Sequence, residues 1–148
     1  MSDKKYVSYV NGKPAYYVNE RNVWLNENTD AYDLLVSVHC NSNESSTPRG
    51  SRYYITSVSG YGNYNPSYTF MARILTAVKI GLSLNKEPTW ARQNLAVLKI
   101  SKPAVLVECG FLSNTSDLEH LVDEQWQTLY AKALANGIAA YAKEYVKK

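Results

Sequence analysis

Two ionisable side chains stand where a sheet enzyme keeps its reactive groups. His39 closes the apolar run Leu34-Leu35-Val36-Ser37-Val38-His39, and Glu108 closes Ala104-Val105-Leu106-Val107-Glu108. An imidazole holds a metal or moves a proton near neutrality, and a carboxylate beside it serves as general acid or base. In open α/β sheets, ligands bind in the crevice beyond the carboxyl ends of the strands, so the two side chains are expected to share one cleft. The plain alternatives are a satisfied structural histidine and a carboxylate capping backbone N–H groups. A buried carboxylate needs compensation, and Val105-Leu106-Val107 offers none, which favours a functional Glu108.

The surrounding pattern supplies the elements that would position them. Residues 6–10 and 15–18 are β-prone runs around Asn11-Gly12, which predicts a hairpin or a strand with a hooked return. A helix is expected from Asn19 to about Thr29, with Asn19 capping its first turn. Residues 34–39 read as a strand covered on both faces. A polar loop over residues 40–50 leads to a strand at 52–56, and a second loop covers 57–66. Ser67 is placed to cap a helix whose Phe70, Met71, Ile74, Leu75, Val78 and Leu82 form a buried stripe. Residues 85–94 read as connecting chain, 95–98 as a strand and 104–108 as a second buried strand. After a turn at Gly110, Ser116 opens a short helix to about Val122. A last helix runs from about Glu124 to Tyr145, with Leu129, Leu134, Ile138 and Tyr141 inward. Strands alternating with helices predict an α/β fold, a layered sheet flanked by helices.

Composition narrows the class. A chain of 148 residues fits a single domain, residues 1–148, which buries roughly two-thirds of its unfolded surface. Hydrophobic residues at 45% and charged residues at 20% exclude a disordered chain. No apolar run approaches the ~20 residues of a membrane span. The opening Met1-Ser2-Asp3-Lys4-Lys5-Tyr6-Val7-Ser8 lacks a stretch of signal-peptide length, which predicts a chain not exported by its own leader. A net charge of +3 is too slight to call for nucleic acid. Two cysteines are too few for a disulfide scaffold or a cysteine-only zinc knuckle. Of thirteen tyrosines, Tyr53, Tyr54, Tyr61, Tyr64 and Tyr68 fall mid-chain. They could stack on sugars or peptides, but half-buried strand faces and loop rims account for them.

Asp33-Leu34-Leu35-Val36-Ser37-Val38-His39-Cys40-Asn41-Ser42 resembles the first signature block of the zinc-dependent N-acetylmuramoyl-L-alanine amidases. Leu95-Ala96-Val97-Leu98, followed by Pro103-Ala104-Val105-Leu106-Val107-Glu108-Cys109-Gly110-Phe111-Leu112-Ser113-Asn114, resembles the second. Arg21 and Asn26 fit the Arg-x-x-x-x-Asn helix before the first block, and the resemblance covers about residues 6–146. It implies an amidase-like fold, a peptidoglycan or muropeptide substrate and a catalytic zinc. The reaction implied is cleavage of the amide between the lactyl group of N-acetylmuramic acid and L-alanine of the stem peptide. Zinc brings the pKa of its bound water to about 7 and polarises the carbonyl, while a glutamate passes the proton to the leaving amine. By position, His39 matches a zinc-ligand histidine and Glu108 the catalytic glutamate. Asn41, on the same side of an extended chain as His39, would support the ligand or touch substrate, and a turn-forming role suits it equally. Arg49, Arg52 and Arg92 could meet stem-peptide carboxylates, although a solvated role suits each.

The sequence also departs from the family. Its first strand, ending in a Gly-His-Gly-Gly turn with one zinc histidine, and the next segment, with a glutamate ligand, have no counterpart here. The domain therefore reads as N-terminally truncated relative to the family, missing its first strand and helix. The matching positions supply one of the three protein ligands a catalytic zinc requires. His120, the other histidine, is expected to look outward from a helix that buries Leu118, Leu121 and Val122. Cys40 and Cys109 should alternate away from His39 and Glu108 as small buried hydrophobes. Glu20 and Glu27 come too late in the chain to be the family's glutamate ligand. Two function classes follow: a peptidoglycan hydrolase of the amidase type, or a catalytically inactive muropeptide-binding module or remnant. An uncovered sheet edge also predicts self-association, and a lone imidazole predicts at most partial zinc.

Overall fold

The computed structural model describes residues 8–10, 13–15, 18–58 and 64–146. Their centre is a four-stranded mixed sheet in the order β3-β6-β4-β5. β3 (Leu35–Asn41) runs parallel to β6 (Ala104–Phe111), which is antiparallel to β4 (Arg52–Thr56); β4 in turn is parallel to β5 (Thr89–Gln93). The expected hairpin pairing is present at the start of the chain, where β1 (Ser8–Val10) and β2 (Lys13–Ala15) pair antiparallel with Val10 opposite Lys13. Tyr6, Val7, Asn11, Gly12, Tyr16, Tyr17 and Tyr61 lie outside the described residues.

Side-chain alternation gives the sheet two different faces. Tyr53 and Ile55 of β4 and Val105 and Val107 of β6 are buried with Phe70, Met71, Ile74, Leu75 and Val78 of α2 (Tyr64–Gly81). Tyr130, Ala133, Leu134 and Tyr141 of α4 (Glu124–Tyr145) complete that layer. The stripe on α2 is buried as its spacing predicts, because i, i+4 and i+8 fall on one helical face. On the other face, Ala104 and Leu106 pack with Leu98 and Ile100, against Leu25 of α1 (Val18–Glu27), Tyr32, Leu35 and Tyr54. The result is the expected α/β architecture, helices on a mixed sheet. Among the described residues no helix is long and apolar enough to cross a membrane.

Two contacts lock the helical layer. A Cβ added to Gly137 of α4 would lie 2.6 Å from the Ile74 Cα of α2, so the helix backbones meet where only a hydrogen fits. The buried Ser67 Oγ accepts a 3.1 Å hydrogen bond from the Ala104 N–H, tying α2 to the start of β6.

Several expectations are corrected. α2 starts at Tyr64, so Ser67 sits inside its first turn and serves Ala104 rather than capping. Residues 85–94 are not all connecting chain: Thr89–Gln93 form β5, an edge strand held by its pairing with β4. Residues 95–98 do not form a strand; Ala96–Leu98 make a single 3-10 turn that buries Leu98. β3 is not covered on both faces, since it pairs with β6 alone among the described strands and leaves Val38 57% exposed. Cys40 is exposed there rather than buried, and Cys109 is half-buried. Leu129 is 51% exposed, and Tyr130 and Ala133 take the inward positions instead. α3 (Thr115–Leu121) is capped by Asn114, not opened by Ser116, and buries no residue; Leu118 and Val122 are exposed.

Candidate active site

β3 and β6 run parallel with His39 directly opposite Glu108, so both side chains leave the same face near the carboxyl ends of their strands. This face also carries Leu35, Ser37 and Leu106, and its apolar lower part packs on the 3-10 turn and α1. A serine two residues before a histidine in a strand shares its face. Here the Ser37 Oγ lies 2.8 Å from the His39 Nε2, which fixes the ring and leaves its other nitrogen free of that contact.

Glu108 is half-buried, and its Oε2 is buried without a hydrogen-bond partner among the described residues. Burial pushes its carboxyl above the usual carboxylate value, and the charge of His39 partly draws it back. The antiparallel register sets Arg52 opposite Glu108 on the far side of β6 from His39. Arg52 does not neutralise the carboxylate: its Nη1 donates to the Ser51 carbonyl at 3.1 Å, and its guanidinium lies 5.5 Å from the Phe111 ring centroid. Ser37 is the site neighbour that the sequence reading passes over, although strand alternation places it on the face of His39, and only register sets Arg52 opposite Glu108.

Asn41 is displaced from this row. The ladder shifts between His39 and Asn41, and Asn41 faces Phe111. Its Oδ1 accepts from the Ser42 N–H at 2.8 Å, the turn-forming use of asparagine. Arg49 lies on the loop before β4, and Arg92 lies on β5. The helix residue Asn26 anchors α1 to the 3-10 turn, donating from Nδ2 to the Lys99 carbonyl at 3.1 Å. Asn22 makes a similar bond to the Ala96 carbonyl.

A catalytic zinc requires three protein ligands. Among the described residues no group of three or more His, Cys, Asp or Glu side chains comes together. His120 is on α3, stacked on Trp126 with ring centroids 5.6 Å apart. Cys109 packs against the opposite core layer, where Cys40 also acts on it. The donor set around His39 does not fit such a zinc site.

Known proteins place this arrangement. LytC, an N-acetylmuramoyl-L-alanine amidase of Bacillus subtilis (strain 168), is 32% identical over 111 residues, which are 74% of this chain and 21% of LytC. The uncharacterized protein YqiI of the same organism is 27% identical over 110 residues, 74% of this chain and 51% of YqiI. The chain thus spans from a fifth to a half of these curated relatives. The solved catalytic domain of CwlV, an amidase from Bacillus (Paenibacillus) polymyxa var. colistinus, matches with a TM-score of 0.72 at 27% identity, covering 89% of this chain and 69% of that one. The CwlD amidase of Clostridioides difficile, solved with the GerS lipoprotein, matches with a TM-score of 0.73 at 26% identity, covering 85% and 61%. The profile of the N-acetylmuramoyl-L-alanine amidases matches residues 3–140, and with His39 and Glu108 side by side in the two matching strands, this chain belongs to that family.

Proposed function

We propose that the chain is a peptidoglycan hydrolase that cleaves the amide between N-acetylmuramic acid and L-alanine of the stem peptide, with Glu108 as the residue that carries the proton. The observation that supports this most is the pairing of a buried, unpartnered carboxyl oxygen with an imidazole on one sheet face. An unsatisfied buried oxygen costs stability, and it is the arrangement required of a group that must accept a proton from water and give it to a leaving amine. The free Oε2 of Glu108 takes that proton as the water oxygen bonds to the lactyl carbonyl carbon, and the nitrogen of L-alanine receives the proton as the C–N bond breaks, leaving a carboxylate and a free amine. Ser37 holds the ring of His39 in one orientation beside the reacting water. Asn41, its Oδ1 engaged in the turn, has its Nδ2 left for substrate. Zinc, which the family resemblance implies, has one proposed ligand in this chain, His39, and the proton transfer assigned to Glu108 is derived without it.

The test is digestion of purified peptidoglycan with the appearance of new L-alanine amino termini as readout. The parent chain is expected to release them, with and without added zinc compared in parallel. Glu108→Gln is expected to lower the rate by at least ~10²-fold, the scale of removing a positioned acid or base. No release by the parent under either condition, or full activity in Glu108→Gln, would overturn the reading.

A further inference from the structure

The chain's two cysteines stand on neighbouring strands, Cys40 on β3 and Cys109 on β6. The ladder pairs His39 with Glu108 and Asn41 with Phe111, so Cys40 alone faces the bulged pair Cys109 and Gly110. Gly110 has no side chain. On that stretch of β6, Cys109 is therefore the side chain set against Cys40 across the ladder.

Both thiols leave the sheet on the face away from His39 and Glu108. Val105, Val107 and Cys109 of β6 pack into the helical layer, as does Val36 of β3, and alternation carries Cys40 to the side of Val36. The Cys109 thiol, pushed up to about 12 mainly by burial, also feels the charge of Cys40. Hydrogen-bonded strands lie roughly 4.8 Å apart, and a disulfide joins Cα atoms roughly 4.4–6.8 Å apart. The pair is within bridging distance without a change of strand order.

The two sulfurs differ in access. Cys40 is exposed on an edge strand, whereas Cys109 is half-buried, so an oxidant arriving from solvent meets Cys40 first. Among the described strands β3 is bonded to β6 alone. A covalent tie at Cys40 would hold the part of β3 that carries His39.

We propose that Cys40 and Cys109 form a reversible disulfide with a low-molecular-weight disulfide as oxidant, and that this bond clamps the end of β3 to β6. Cys40 attacks one sulfur of the oxidant, forming a mixed disulfide and releasing one small thiol. Cys109 then attacks the Cys40 sulfur, and the second small thiol leaves. The two protein thiols give up two electrons and two protons, which the oxidant's S–S bond takes up as it becomes two thiols. Excess small thiol reverses both steps. This modification site goes beyond the hydrolytic reading and is read out without activity, so either can fail alone.

The probe is oxidised glutathione added to the whole folded chain, followed by intact mass and peptide mapping without reductant. The product should be a single chain lighter by two hydrogens, with the peptides carrying Cys40 and Cys109 joined, and dithiothreitol should restore the parent mass. Cys109→Ser should stop at one glutathione adduct on Cys40. Cys40→Ser should react at least about tenfold more slowly, because its remaining thiol is half-buried. In the oxidised parent, amide exchange over residues 38–41 should slow by at least about tenfold, a change that the Cys109→Ser adduct does not show. A parent that stays at the Cys40 adduct, that links two chains through Cys40, or that keeps both thiols free would overturn the pairing. Unaltered exchange over residues 38–41 in the bridged chain would overturn the clamp.

Discussion

The phenolic oxygens of Tyr53 and Tyr130 lie 2.5 Å apart in the buried seam between β4 and α4, each ring less than 4% exposed. Desolvation raises Tyr53 from 10.0 to about 12, and it raises Tyr130 as well. A folded-state value above the unfolded one gives stability that is complete below the unfolded value and is lost as pH rises through the folded one. Unfolding free energy is therefore expected to be level up to about pH 10 and to fall between about pH 10 and 12. Tyr130→Phe should lower stability by about 1 kcal/mol at neutral pH and make the alkaline fall shallower. Urea melts across that range check both, and a flat profile to pH 12 would contradict the assignment.

Ser67→Ala removes the acceptor of the Ala104 N–H at the buried start of β6. The orphaned donor is expected to cost about 1–3 kcal/mol. Hydrogen exchange at Ala104 gives a local check, since its amide should lose protection more than those of Val105 and Val107.

At Gly137 a methyl group has nowhere to go, because the facing atoms are the backbone of Ile74 and the Arg73 carbonyl. Gly137→Ala is expected to destabilise by about 1–3 kcal/mol through overpacking, despite alanine's better helix propensity. A melting temperature at or above the parent's would mean that α2 and α4 separate readily.

Glu108→Gln serves as a stability probe as well as a kinetic one. The parent keeps a buried carboxyl oxygen without a partner, and a neutral amide of the same shape is cheaper to bury. The variant should melt no lower than the parent at neutral pH even as activity falls. A clear drop in melting temperature would assign Glu108 a structural bond instead.

Legibility in the sequence followed periodicity. α2 and most of α4 were readable because their apolar residues recur on one face, as Phe70, Ile74 and Val78 do. β5 was not, because Thr89-Trp90-Ala91-Arg92-Gln93 shows no apolar alternation; its extended form comes from β4, to which it is paired. Residues 95–98 misled in the opposite direction, since a short apolar run fits a strand or a turn that buries one leucine. At the candidate site, His39 and Glu108 are expected as strand ends, but β3 runs on to Asn41 and β6 to Phe111, so both stand inside their strands. Their alignment with one another and with Arg52 depends on strand order and register, which are properties of chain pairing rather than of any local segment.

The central position of β6 bears on the order of assembly during synthesis. Its partners β3 and β4 are made first, yet both bond to it, so β3 has no partner among the described strands until the chain has been made through Phe111. Pairing across such sequence separations carries a loop-closure cost that slows folding. A nascent chain stopped before residue 104 would hold β3 with an unsatisfied backbone and an apolar face, the condition in which emerging chains aggregate or engage chaperones. The strand that joins β3 to β4 also carries Glu108, so the sheet and the candidate site are completed by the same eight residues.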